Sequence, residues 1–114
     1  MAKLSDEILT NIFSLQRQLA EGIGEVSAVE WALFEQYGET DESIGELEEL
    51  KNAKERLTIP YSRLHTLLLR ILEAQPTASA AMLNLLAQTL EQGQAALDAS
   101  NASVREIKRN WDLL

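Results

Sequence analysis

The chain contains no cysteine, which excludes disulfides, thiolate metal ligands and thiol nucleophiles and removes any need for an oxidising compartment. Only five glycines and two prolines interrupt its 114 residues, and almost half of those residues are apolar, so the polar bias that keeps chains disordered is missing. No apolar run approaches the length that spans a membrane. The opening "MAKLSDEILTNIF" places charges where a secretory signal needs a continuous apolar stretch. These absences predict a soluble, cytoplasmic protein that does not enter membranes. Lysine and arginine are outnumbered by aspartate and glutamate, for a formal charge of −8; nucleic acid phosphates would repel such a surface, so no nucleic acid partner is expected.

The usual signs of catalysis are also scarce. His65 is the only histidine, and the residue three positions before it is Ser62, so the Glu-x-x-His pattern of helical di-iron sites is absent. One histidine without an elbow motif supports no Ser-His-Asp arrangement. The "GIG" at residues 22 to 24 is followed by Ser27 where a dinucleotide loop needs its third glycine, and it sits inside a helical pattern. The acidic run "ETDESIGELEEL" does not reproduce a calcium loop's alternating oxygen ligands around a central glycine with a closing glutamate. No enzyme, metal or cofactor is expected.

What the chain does have is helical periodicity throughout. Ile8, Ile12, Leu15, Leu19, Gly22, Val26, Val29 and Leu33 recur at steps of three and four, a heptad seam that predicts a helix closed by Ser5 at its start and Gly38 at its end. A second seam runs through Leu47, Leu50, Lys54, Leu57, Tyr61, Leu64, Leu68 and Ile71. It predicts a helix over about 41 to 75, capped by Thr40 or Asp41 and kinked at Pro60. A break at Pro60, giving four helices, is the alternative. The third seam, Leu83, Leu86, Leu90, Gly93, Leu97, Ser100, Val104, Ile107 and Trp111, follows Pro76 and a cap at Thr77, with "DASNAS" and the box Ser103-x-x-Glu106 as a possible interruption. The short connections predict one all-α domain over 1–114, an elongated up-down-up antiparallel bundle.

The first helix carries a second apolar stripe. Phe13, Arg17, Ala20, Gly24, Ser27, Trp31 and Phe34 also step by three and four, on nearly the opposite side from the seam. A peripheral helix of a monomeric bundle should have a polar back. Large residues at the ends and small ones between suit a neighbouring helix, so Phe13, Ala20, Gly24, Ser27, Trp31 and Phe34 are expected at a protein interface, Trp31 as its anchor. Leu69, in the almost wholly apolar "LLLRIL", joins them. A kink at "EGIG" that turns Trp31 and Phe34 into the core is the competing reading.

Charged positions read mostly as a solvated face, with near-neighbour pairs such as Lys51 and Glu55. Arg56, Arg63 and Arg70 recur every seven residues and are expected to pair with Glu21 or Glu25 and with Asp6 or Glu7 across helices. Together these features predict a protein–protein interaction module, an adaptor, assembly factor or regulator that is homodimeric through the first helix. The alternative is a bundle that senses a small molecule or anion near Pro60 through Tyr61, Arg63 and His65.

Overall fold

Ser5 sits in extended backbone and its hydroxyl accepts the Ile8 N–H at 3.2 Å, opening α1 (Asp6–Tyr37) with Asp6 and Glu7 at the positive end of the helix dipole. Gly38 ends α1 with a φ of 68°, which a side chain would strain, and gives its N–H to Phe34 O. The computed structural model describes residues 4–113. Among them α1 is followed by α2 (Ile44–Glu73) and α3 (Ala80–Asn110), with no strands. The rod measures 56 × 21 × 17 Å, the shape expected when helices of about 30 residues lie antiparallel.

The α1–α2 turn is held by a reciprocal pair. Thr40 N–H donates to Ser43 Oγ at 3.0 Å, Ser43 N–H donates to Thr40 Oγ1 at 3.2 Å, and the Ser43 hydroxyl donates to Gly38 O at 2.7 Å. This is the logic of a capping box with serine in the usual glutamate position. Thr40 thus serves the expected capping role, although the regular helix begins only at Ile44. Ser43 is fully buried and fully used. The third helix starts later than expected: Ser79, not Thr77, accepts the Met82 N–H.

Pro60 does not break α2, and the helix continues through "DASNAS" in α3 without using the Ser103 box. The buried residues of α1 are Ile12, Leu15, Leu19, Gly22, Val26, Val29 and Leu33, the expected seam without its first member. Ile8 is exposed, while Leu9 is half-buried and packs on the core. At the same end of the rod Leu83 is exposed and Met82 packs inward. In α2 the buried position between Leu57 and Leu64 is Pro60, and Tyr61 is exposed. The cause lies across the bundle. A Cβ placed on Gly93 would come 3.0 Å from Leu15 Cδ2 and 3.5 Å from Pro60 Cβ, so the helices approach too closely there for a tyrosine ring. Gly22 has a similar role: an added Cβ would lie 3.1 Å from Leu97 Cδ1 and 3.2 Å from Leu57 Cδ1. Tyr37 and Trp111 close the far end, with ring centroids 4.9 Å apart, edge to face, and the tyrosine hydroxyl donating to Trp111 O at 2.8 Å.

Ion pairs sit at the seams between helices. Lys54 reaches Glu30 at 2.9 Å and Lys108 reaches Glu25 at 3.2 Å. The arginine ladder does not pair across to α1 as expected. Arg56 binds Glu49 of its own helix, Glu21 pairs with Arg17, and Glu25 is taken by Lys108. Lys51 and Glu55 form no ion pair among the described residues. The ladder misses α1 because Arg56 and Arg63 lie on the α3 side of α2, beside Gln92 and Ala96. Among the described residues no helix is long and apolar enough to cross a membrane.

Candidate interaction face

α1 turns its seam inward, so the second stripe has nowhere to go but out. Trp31 is 65% exposed and Phe13 56%, and Phe34, Ala20 and Gly24 are exposed as well. The competing expectation, that a kink at "EGIG" carries Trp31 and Phe34 into the core, is not what the fold shows: α1 runs unbroken and Val26, Val29 and Leu33 keep the buried seam. Ser27 is half-buried and its hydroxyl is satisfied by Ile23 O at 2.9 Å, so covering it strips no free donor. Gly24 differs from Gly22 and Gly93, because an added Cβ there meets nothing within 4 Å. The chain's own packing gives no reason for that glycine.

Trp31 and Phe34 form one wall of an open groove of about 540 Å³ between α1 and α2. Ile44 and Leu47 of α2 form the other, with Glu30, Glu39, Glu48 and Lys51 around the rim. Ile44 is exposed and Leu47 half-buried; neither stands out in the sequence as a surface residue, because both lie within the acidic run. Farther along α2, Leu69 stands 18 residues after Lys51, five whole turns, and Leu72 stands 25 after Leu47, close to seven turns. Leu69 and Leu72 are both exposed and share the groove's side of α2. Phe13 is likewise five turns from Trp31. A single face along α1 and α2 therefore carries two apolar clusters, Trp31-Phe34-Ile44-Leu47 near the turn and Phe13-Leu69-Leu72 toward the other end. Of the expected interface residues, Phe13, Ala20, Gly24, Ser27, Trp31, Phe34 and Leu69 all lie on it.

The residues proposed for small-molecule sensing do not converge. Tyr61 and His65 are exposed, four residues apart on one side of α2. Arg63 is on the other side, edging a shallow depression of about 210 Å³ with Arg56, Ile59, Pro60, Gln92 and Ala96. Among the described residues no group of three or more His, Asp or Glu side chains is arranged to hold a metal ion.

No family model, curated protein or solved structure matches the chain significantly, and the two-helix apolar face is therefore the feature on which a functional reading rests.

Proposed function

We propose that this chain is a small cytoplasmic protein–protein interaction module, of the adaptor, assembly or regulatory kind, which self-associates through the α1–α2 face. One observation carries the reading: exposed Trp31 and Phe34 of α1 line a groove with Ile44 and Leu47 of α2, and whole helical turns from them place exposed Phe13, Leu69 and Leu72 on the same sides of the two helices. Single exposed apolar residues are ordinary, whereas clusters of exposed aromatics and leucines gathered on one face mark association. Trp31 has the properties of an anchor, being large, rigid and already seated beside a groove. Self-association is supported further by the small residues Ala20 and Gly24 between the aromatics, which allow a helix backbone to approach closely.

Sedimentation velocity of the native chain and of Trp31→Asp tests the proposal, with far-UV circular dichroism as the folding control. The native chain should run as a dimer and the variant as a monomer of unchanged helicity. If both sediment as the same monomer, self-association is lost as a reading.

A further inference from the structure

The face has an internal symmetry that selects its occupant. Gly22 of α1 and Leu57 of α2 lie at the same level of the rod, because a Cβ on Gly22 would be 3.2 Å from Leu57 Cδ1. Measured from residue 22, Phe13 lies nine residues before and Trp31 nine after, while Ala20 and Gly24 lie two before and two after. On α2, measured from Thr58, Leu47 and Leu69 are each eleven residues away and Ile44 and Leu72 each fourteen. The two apolar clusters are thus equidistant from one level, with Ala20 and Gly24 flanking that level on α1 and Thr58 at it on α2.

Resting on the self-association proposed above, we infer that the occupant of this face is a second copy of the chain, packed antiparallel about a two-fold axis at the level of Gly22 and Leu57. A two-fold lying in the interface and perpendicular to the helices sets α1 against α1 and α2 against α2, each reversed. Phe13 then meets the partner copy's equivalent of the Trp31 end, and the Leu69-Leu72 end meets the Ile44-Leu47 end, twice over. Ala20 and Gly24 face each other across the axis, which accounts for a glycine that the monomer does not need.

Charge selects the same arrangement over its alternative. Between Phe34 and Leu50 the chain holds Glu35, Glu39, Asp41, Glu42, Glu46, Glu48 and Glu49 and no lysine or arginine. A parallel pairing would stack the two carboxylate-rich turns side by side. The antiparallel one holds them roughly 50 Å apart, at 1.5 Å per residue, about five Debye lengths in 0.1 M salt. Area is also sufficient. From Phe13 to Phe34 α1 is about 32 Å long, and with the rod 21 Å across the face projects to roughly 670 Å² before its corrugation is counted. Standard interfaces bury roughly 600–1,000 Å² per partner.

Because the native chain has no thiol, single cysteines report the geometry cleanly. Asp41→Cys and Glu73→Cys are exposed and mark opposite ends of the rod. Mixing donor-labelled Asp41→Cys with acceptor-labelled Glu73→Cys should give strong energy transfer between copies, and a donor–acceptor mixture of Asp41→Cys alone should give little. The reverse result, in a species that sediments as a dimer, overturns the antiparallel arrangement and leaves self-association standing. A monomer at every concentration overturns both. Gly24→Glu adds an independent readout: with nothing within 4 Å to disturb it should keep its helicity and weaken dimerisation at least ten-fold. Unchanged dimerisation would remove the axis from Gly24.

Discussion

Gly24 and Gly93 are both glycines inside long helices, and replacing each with alanine separates backbone propensity from packing. In either helix alanine is favoured over glycine by about 1 kcal/mol, because it restricts the unfolded chain and adds no strain to helical backbone. At Gly24 the new methyl meets nothing within 4 Å, so the whole gain should appear. At Gly93 it arrives 3.0 Å from Leu15 Cδ2, 3.5 Å from Pro60 Cβ and 3.7 Å from Leu19 Cδ1. Leu15 must give way by a few tenths of an ångström, and overpacking of this kind costs about 1–3 kcal/mol. The expected outcomes are a stabilisation of about 1 kcal/mol for Gly24→Ala and a change between about zero and a loss of 2 kcal/mol for Gly93→Ala. Urea unfolding reads both, with an unchanged denaturant slope as the sign that only stability has moved. The pair should be compared in a Trp31→Asp background so that association does not contribute. Equal stabilisation of the two variants would refute the reasoning, since it would mean that α3 does not approach α1 and α2 as closely as Gly93 implies.

Three further outcomes follow from buried groups. Ser100 is buried and its hydroxyl has no hydrogen-bond partner among the described residues, so Ser100→Ala should stabilise by about 1 kcal/mol in thermal or urea unfolding. Ser43→Ala should cost about 1–3 kcal/mol, because it leaves the Thr40 N–H without its acceptor and Gly38 O without its donor in a closed turn. Pro60→Ala should stabilise by about 1–2 kcal/mol: it restores a backbone donor toward Arg56 O and relieves an interior proline worth about 3 kcal/mol, against roughly 1.6 kcal/mol for two ring methylenes lost from the core. An unfolding midpoint that falls in Pro60→Ala would show the ring's packing to outweigh the missing hydrogen bond.

Much of this fold is legible in the heptad spacing, and the points where legibility fails share a cause. The steps Leu57-Tyr61-Leu64 and Leu57-Pro60-Leu64 are equally regular, so periodicity alone cannot choose between neighbours; size and hydropathy favour tyrosine. What decides is the distance to Gly93 on another helix, which is a property of the packed molecule. Leu9 replaces Ile8 and Met82 replaces Leu83 where two apolar residues stand side by side, so that the spacing does not choose between them. The stripe of Phe13, Trp31 and Phe34 could be read because one helix cannot bury both its sides. Its continuation onto Ile44, Leu47 and Leu72 could not, because it exists only once α2 lies beside α1. The arginine ladder failed in the same way: its spacing puts it on one line of α2, and only the bundle's handedness says that the line faces α3.

The clasp between Tyr37 and Trp111 joins the end of α1 to the end of α3, so with an odd number of helices the two ends of the described chain emerge at opposite poles of the rod. Tension applied through them would run along its length. The α1–α3 seam, with Lys108 hooked to Glu25, would then be loaded in shear, all its contacts at once, instead of unzipping turn by turn as in a hairpin of two helices pulled from one end.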